Sequence, residues 1–205
     1  MLFLGLAHWL PVSPGLLYPI RVVVVGVVLV FFSRHLVSFR AGNLVGSIGI
    51  GVIVFVLWVA PDVLWAEYRS HWLFDNTLGG SAKSSVPHDV KSDLVFIAFR
   101  VFGSVVLVPI LEELFWRGWL MRWFIRPDFE AVRLGTYTRY SFWVTAVLFS
   151  AEHGPFWDVG LLAGITYNWW MLRTHRLADC IVAHAVTNGL LAIYVLYTSH
   201  WQYWL

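Results

Sequence analysis

One apolar stretch of the chain determines its class; it reads DLVFIAFRVFGSVVLVPILEELFWRGWLMRWF and covers residues 93–124. A helix rises about 1.5 Å per residue, so this stretch is longer than the hydrocarbon core of a bilayer, which is about 30 Å thick. It nevertheless contains two adjacent glutamates, Glu112 and Glu113, and a charge inside a membrane is costly unless it is paired or hydrated. We therefore expect a membrane-spanning helix that carries a functional site.

The composition of the whole chain agrees with a membrane protein. Hydrophobic residues make up 59% of its 205 residues and charged residues 13%, whereas a soluble domain averages about 45–50% and about 25%. These values argue against a disordered chain, a collagen repeat and an ordinary soluble enzyme, because too few charges remain to cover a water-facing surface. The net charge of +2 does not indicate a nucleic-acid partner. A single cysteine, Cys180, excludes an internal disulfide, and we predict that it is a buried apolar residue.

The apolar runs predict an all-α fold, a polytopic bundle of transmembrane helices that forms one integral membrane domain over residues 1–205. Seven helices are expected, at about 2–17, 18–32, 41–60, 93–124, 141–153, 157–172 and 177–197. The first is interrupted by Pro11 and Pro14, so there are six spans if it does not cross the membrane. Pro109 predicts a kink in the fourth helix. The third helix has small residues that predict close helix packing: Gly42, Gly46, Gly49 and Gly51.

The charged residues between the helices predict the orientation of the chain. Three short loops are basic, and the positive-inside rule places all three in the cytoplasm. They carry Arg34 and Arg40, then Arg122, Arg126, Arg133 and Arg139, and then Arg173 and Arg176. The long polar stretch 61–93 is then expected to be an exposed loop outside the cytoplasm. We accordingly predict an integral membrane protein with its basic loops in the cytoplasm.

Helical spacing gives different surroundings to the polar residues of these apolar helices. Residues four apart share a helix face, so Glu113 can pair with Arg117. Glu112 is rotated by about 100° from its neighbour and has no local cation, which leaves it able to act as a general base or acid. His184 and Asn188 are also four apart and present a ring nitrogen and an amide to one point.

The depth of these residues follows from the helical rise of about 1.5 Å per residue. Counted from the cytoplasmic helix ends, Glu112 lies about 15 Å deep and His153 about 18 Å deep. His184 and Asn188 lie about 10 and 17 Å deep. Similar depths on three helices predict a shared cavity in or near the cytoplasmic half of the membrane. The alternative is that buried polar pairs only hold the helices together, and for the predicted ion pair this structural role is the preferred interpretation.

Three short motifs resemble those of a known family. The first is Glu-Glu-x-x-x-Arg at residues 112–117, the second is Phe-x-x-x-His at 149–153, and the third is His-x-x-x-Asn at 184–188. In this order, and on apolar helices, they resemble the CAAX protease and bacteriocin-processing (CPBP) family of intramembrane glutamic endopeptidases. The resemblance covers the motif-bearing core, residues 108–197. The wording around the motifs is also similar to a subgroup associated with bacterial exosortase sorting systems.

The resemblance implies an activity and a role for each motif residue. Members of the family are intramembrane endopeptidases, so Glu112 would activate a water molecule and His153 would orient it. His184 and Asn188 would stabilise the oxyanion of the tetrahedral intermediate. The implied substrate is a membrane-associated protein or peptide in the lipid bilayer, and no cofactor is implied.

Three other interpretations stay open at the level of the sequence. Two histidines and a glutamate can ligate zinc, which would give a zinc-dependent version of the peptidase, although the chain has no His-Glu-x-x-His motif. The same fold can serve as a non-catalytic membrane scaffold or immunity protein, because a fold alone does not fix a function. A transporter would need a polar path across both leaflets, and the outer half of the predicted bundle has none.

Overall fold

The computed structural model describes residues 14–33, 40–65, 67–76 and 80–204. Over these ranges the chain is mostly helical and contains no β-strand, which confirms the predicted all-α membrane bundle. The first predicted helix, at about 2–17, lies outside the described residues up to residue 13. Six long helices follow one another: α1 (Pro14–Ser33), α2 (Leu44–Leu64), α3 (Leu94–Trp123), α4 (Arg139–Glu152), α5 (Trp157–Thr174) and α6 (Leu177–Thr198).

Four helices in the described part of the chain are long and apolar enough to cross a membrane. They are Gly15–Ser33, Leu44–Leu64, Leu94–Trp123 and Leu177–Thr198. Neither α4, with 14 residues, nor α5, with 18 residues, is among them. At about 1.5 Å per residue, α4 is too short to cross a hydrocarbon core of about 30 Å alone. The predicted count of seven spans was therefore only approximate.

The described bounds of the first two helices differ from the predicted ones. Within the described residues, α1 covers Pro14–Ser33. The helix is therefore 20 residues long, and not the short span that the sequence predicted from residue 18. The Asn43 side chain caps α2 by accepting a hydrogen bond from the Gly46 N–H over 2.9 Å. Since α2 continues to Leu64, the long connection begins later than predicted.

α3 contains two stretches of π-helix, Gly103–Leu107 and Leu114–Leu120. At the end of the first stretch, the N–H of Val108 donates to the Gly103 carbonyl, five residues back. The next donor in this register would be Pro109, which has no N–H, so the hydrogen-bond ladder is interrupted where the sequence predicted a kink. Such widened turns are frequent at functional sites, and the two in α3 enclose the adjacent glutamates.

The helices pack through small residues and an apolar core, with α6 on α2 and α4 on α5. α2 and α6 approach so closely that a Cβ atom on Gly51 would lie 2.5 Å from the Ala183 carbonyl oxygen, as predicted for a small residue in this helix. A Cβ atom on Gly49, by contrast, would have no atom of the described residues within 4 Å. Cys180 is fully buried beside Met171, in agreement with the predicted apolar role.

Part of the segment that joins α2 to α3 packs against the bundle, although many of its described residues are exposed. Phe74 and Val86 are buried, each with 5% exposure. The Ser85 N–H donates to the Trp204 carbonyl over 2.9 Å, so this segment and the residues after α6 lie at the same end of the molecule. The segment is therefore partly buried, and its placement outside the cytoplasm stays a prediction.

Candidate active site

The structure brings the four predicted catalytic side chains to one cavity. Glu112 comes from α3, His153 directly follows α4, and α6 supplies His184 and Asn188. The cavity has a volume of about 220 Å³, which is large enough for several water molecules. Three helices that are far apart in the sequence therefore supply polar groups to one space.

The cavity extends away from the motif residues toward the end of α6. Tyr203 and Trp204 line it there, together with Arg100 of α3. The basic loop that precedes α6 lies at the opposite end of that helix, next to Leu177. The cavity thus reaches farther from the basic loops than the sequence predicted, and its placement in the cytoplasmic half of the membrane stays a prediction.

Glu112 lies in the short α-helical stretch between the two π-helical stretches of α3 and lines the cavity. Its Oε2 atom is buried and has no hydrogen-bond partner within the described part of the chain. Buried polar atoms are normally hydrogen-bonded, so this oxygen is suited to accept a hydrogen bond from a water molecule in the cavity. Glu113 Oε2 is also buried without a described partner, but of the two glutamates Glu112 is the one that lines the cavity.

Glu113 is completely buried, and its Oε1 atom accepts two hydrogen bonds. Arg117 Nη1 donates over 3.0 Å, which is the ion pair expected from the helical spacing. His184 Nδ1 donates to the same oxygen over 2.9 Å. The sequence did not predict this second contact, because it joins α3 to α6 and depends on how those helices pack. Glu113 therefore orients the His184 ring and leaves the Nε2 atom for the cavity.

Arg117 is buried with hydrogen-bond partners on several sides. Beyond its ion pair, Nε donates to Asn168 Oδ1 over 3.0 Å, and Nη2 donates to the Gly164 carbonyl over 3.3 Å. Its guanidinium carbon lies 4.6 Å from the centre of the Phe149 ring. These contacts explain how a buried arginine is tolerated. Sequence reasoning missed Asn168, whose signal was an amide within an otherwise apolar helix.

His153 is held by its own helix and by aromatic rings. Its Nδ1 atom lies 2.7 Å from the Phe149 carbonyl oxygen, and because a carbonyl only accepts, Nδ1 carries the proton. The Nε2 atom is then able to accept a hydrogen bond from water. The Trp58 and Phe149 rings lie 5.2 and 4.6 Å from the imidazole, centre to centre. The phenylalanine of the second motif thus positions the histidine of the same motif.

Asn188 is tied to the first π-helical stretch of α3. Its Nδ2 atom donates to the Ser104 carbonyl over 2.8 Å. In the π register, the backbone donor for this carbonyl would be Pro109, which has no N–H. The asparagine therefore satisfies a carbonyl that the proline leaves without a donor. The amide has a second N–H, which can serve an acceptor in the cavity.

The His184 ring stacks on Tyr167, with the ring centres 5.1 Å apart. Hydrogen bonds of two hydroxyl groups hold Tyr167 in place. The Tyr167 hydroxyl donates to Thr187 Oγ1 over 2.7 Å, and Thr187 Oγ1 lies 2.9 Å from the Gly51 carbonyl oxygen, to which it donates. These contacts connect α5, α6 and α2 beside the cavity. Sequence reasoning singled out neither Tyr167 nor Thr187, although Thr187 lies inside the third motif.

The described residues give little support to the zinc alternative. Among them, no group of three or more His, Cys, Asp or Glu side chains is arranged to hold a metal ion. The Nδ1 atoms of His153 and His184 already donate to the Phe149 carbonyl and to Glu113. Only the two Nε2 atoms are therefore left as possible histidine ligands.

Together, the fold and the cavity define a class of protein, an α-helical membrane protein with two glutamates, two histidines and an asparagine around a buried polar site. Residues 94–190 match the family model described as type II CAAX prenyl endopeptidase Rce1-like. This segment is therefore similar to the Rce1-like CAAX endopeptidases, which confirms the CPBP resemblance of the three motifs. No curated protein and no solved structure matches the chain significantly.

The matched segment contains all three motifs and the helices α3, α4 and α5. It leaves out α1, α2 and the segment that joins α2 to α3. The family implies a membrane-bound CAAX protease, a hydrolase of peptide bonds, and the four apolar helices agree with an integral membrane protein. The link to exosortase sorting systems stays a prediction.

Proposed function

We propose that this protein is an intramembrane endopeptidase that hydrolyses a peptide bond of a membrane-associated protein or peptide with a water molecule activated by Glu112. The observation that carries the proposal is the meeting of the four motif side chains in one cavity. The family of residues 94–190 supports the same class of reaction. No cofactor takes part in the proposed reaction.

The reaction starts from a water molecule between Glu112 and His153. Glu112 takes one proton as the water oxygen attacks the carbonyl carbon of the scissile bond, while His153 Nε2 accepts a hydrogen bond from the other hydrogen and orients the water. A tetrahedral intermediate forms. Glu112 then gives its proton to the leaving nitrogen, the C–N bond breaks, and the products are a carboxylic acid group and an amine.

The negative oxygen of the intermediate is stabilised from α6. Glu113 holds His184 so that Nε2 faces the cavity, and the protonated form of the ring donates a hydrogen bond from this atom. Asn188, held by the Ser104 carbonyl, offers its second amide N–H. Donors that are fixed before the reaction can lower a barrier by several kcal/mol where water is excluded. Arg117 supports this arrangement by holding Glu113 in place.

The proposed setting is the lipid bilayer of a bacterial inner membrane. Residues 1–205 form one integral membrane domain in this proposal, with the motif-bearing core at 108–197 and the segment 61–93 outside the cytoplasm. Large apolar side chains on the outer faces of α1 and α2 are exposed, as expected for contact with lipid. The partner is a membrane-associated polypeptide and not a nucleic acid.

Comparative proteomics of membrane fractions tests the proposal. Cells that lack the protein are complemented at matched expression with the wild type, Glu112→Gln or Glu130→Gln. Glu130 has an exposed side chain, so its variant is the control for loss of a carboxylate. We expect a new polypeptide terminus in the wild type and the control that is absent from Glu112→Gln, because glutamine cannot take the proton of the water.

Two outcomes would replace the proposal by an alternative. If Glu112→Gln produces the same termini as the wild type, water activation by Glu112 is wrong. If no terminus depends on the protein while Glu112→Gln still complements the null strain, the scaffold role is favoured.

Treatment of the purified protein with the chelator 1,10-phenanthroline tests the zinc alternative. We expect cleavage to persist. If cleavage is lost and added zinc restores it, the zinc-dependent peptidase is favoured.

A further inference from the structure

A cluster of half-buried charges lies beside the turn that follows His153. Its centre is Arg69, which belongs to the segment between α2 and α3 and has 11% of its side chain exposed. The acidic partners are Asp62, near the end of α2, and Asp158, in the first turn of α5. Several ion pairs and hydrogen bonds meet at Arg69, so the cluster links the elements that it joins.

Arg69 contacts the turn and the start of α5. Its Nη1 atom donates to the Pro155 carbonyl over 2.8 Å and also pairs with Asp158. Its guanidinium carbon lies 4.5 Å from the centre of the Phe156 ring. The turn starts directly after the motif histidine with Gly154, whose φ of 53° lies in the left-handed region that favours glycine.

The rest of the cluster anchors Arg69 to other parts of the bundle. Its Nε atom donates to Asp62 Oδ1 over 3.0 Å, and the Tyr203 hydroxyl donates to Asp62 Oδ2 over 2.7 Å. The Tyr68 hydroxyl donates to Asp158 Oδ2 over 3.0 Å. Arg69 therefore connects the turn to the end of α2 and, through Asp62, to the residues after α6.

We propose that Arg69 is a positioning residue for His153, an inference that rests on the proposed function. α5 also packs on this histidine, since a Cβ atom on Gly160 would lie 3.2 Å from the His153 Cβ. Any shift of the turn or of the start of α5 moves the imidazole relative to the water that it orients. Arg69 prevents this shift because it binds the turn at Pro155 and α5 at Asp158.

The kinetic test uses the full chain in lipid nanodiscs and, as substrate, the polypeptide whose cleavage requires Glu112. We expect Arg69→Gln to lower kcat about ten- to hundredfold with KM changed by less than about twofold, because His153 acts on the water and not on substrate binding. In a His153→Ala background the same substitution should change kcat less than about twofold. Equal losses in the two backgrounds would overturn the proposal.

A second measurement needs no substrate. NMR of the full chain labelled with [15N]histidine reports the protonation and surroundings of each ring, and the His153 signals are assigned by their absence from His153→Ala. We expect Arg69→Gln to shift the His153 signals and to leave those of His184 in place. Unchanged His153 signals would overturn the positioning role even if Glu112-dependent cleavage is found. A shift remains measurable even if no cleavage is found, so the two proposals fail separately.

Arg126→Gln is the matched control for loss of an arginine. Arg126 pairs with Asp128 at the surface over 3.9 Å, and 64% of its side chain is exposed, so its variant should leave kcat and the histidine spectrum unchanged. If Arg69→Gln does not fold, Tyr68→Phe loosens the same cluster by removing one hydrogen bond to Asp158. Tyr68→Phe should also shift the His153 signals and lower kcat, but by less than Arg69→Gln does. A wild-type kcat together with unchanged His153 signals would overturn the proposal.

Discussion

Glu112 and Glu113 are neighbours in the chain, yet their surroundings have little in common. Glu113 binds Arg117 and His184 through one oxygen, whereas Glu112 lines the cavity and is in neither of these contacts. The ion pair was predictable, because a spacing of four fixes it within one helix. The contact with His184 was not predictable, because it depends on the packing of α3 against α6.

The buried pair leads to a prediction about stability. Glu113→Ala leaves the Arg117 charge without its carboxylate in the protein interior and releases the His184 ring. Removing one partner of a buried pair costs about 3–5 kcal/mol, so we expect a lower folded yield, a lower Tm and weaker cleavage. Thermal unfolding in detergent and cleavage in membranes measure these effects. The surface variant Arg126→Ala should match the wild type in all three.

The same variants can contradict the structural account. If Glu113→Ala and Arg117→Ala both fold, melt and cleave like the wild type, the pair does not support the site. If both fold normally but cleavage is lost in Glu113→Ala alone, the contact with His184 matters and the ion pair does not.

At the level of the helix, Pro109 and Asn188 form a unit that no single motif describes. The proline interrupts the backbone ladder of α3, and the asparagine of α6 binds the Ser104 carbonyl that lacks a donor as a result. Sequence reasoning predicted an irregular helix at Pro109, because proline lacks an N–H. It could not predict a π-helical register, which is what directs that carbonyl toward Asn188.

Pro109→Ala tests this coupling. The alanine N–H can bind the Ser104 carbonyl in place of Asn188, and removing a proline from a helix interior favours the helix. We therefore expect an equal or higher Tm together with cleavage reduced about tenfold or more, because the asparagine loses its anchor. Pro19→Ala, in the interior of α1, is the control and should keep full cleavage. Full cleavage by Pro109→Ala would show that the anchor is dispensable.

The crossing of α2 and α6 gives a second prediction at this level. A Cβ atom on Gly51 would lie 2.5 Å from the Ala183 carbonyl oxygen and 2.7 Å from the Val186 Cβ, whereas Gly49 has room for one. We expect Gly51→Ala to lower the stability by about 1–3 kcal/mol through overpacking. Gly49→Ala should be neutral or slightly stabilising, because alanine favours a helix. Thermal unfolding of the two variants, which differ only in position, measures the contrast.

Cleavage should follow the same contrast between the two glycines. The Gly51 carbonyl accepts the hydrogen bond of Thr187, which supports Tyr167 behind His184. Moving α2 away from α6 therefore disturbs the histidine as well as the crossing. Equal Tm values for Gly51→Ala and Gly49→Ala would contradict the close contact between the helices.

For the whole molecule, composition and three motifs were enough to predict an all-α membrane bundle. Helix depths also predicted that α3, α4 and α6 contribute to one cavity, because a helix converts sequence distance into length. Sequence reasoning treated the connection 61–93 as an exposed loop and did not predict the packing of Arg69 and Phe74, because most of its residues are polar. Its contacts depend on the arrangement of the complete bundle, which local patterns do not contain.

The two tyrosines of the charge cluster make the stability of the whole molecule depend on pH. Burial, and then the charge of Asp158, raises the pKa of Tyr68, which is a donor to that carboxylate. Burial, and then the hydrogen bond to Asp62, raises the pKa of Tyr203. The folded state therefore binds these protons more tightly than the unfolded state. This stabilisation is complete below the ordinary tyrosine value of about 10 and is lost as the pH rises through the raised values.

Thermal unfolding between pH 8 and pH 12, in steps and in one detergent, tests this dependence. We expect the wild-type Tm to fall once the pH exceeds about 10, because deprotonated Tyr68 and Tyr203 would each face a carboxylate. The double variant Tyr68→Phe, Tyr203→Phe should melt lower at pH 8, since two hydrogen bonds are lost, but its Tm should fall less steeply above pH 10. Other groups that titrate there are present in both proteins and cancel in the comparison. Parallel curves would mean that the tyrosines do not hold the joining segment and the residues after α6 against the bundle.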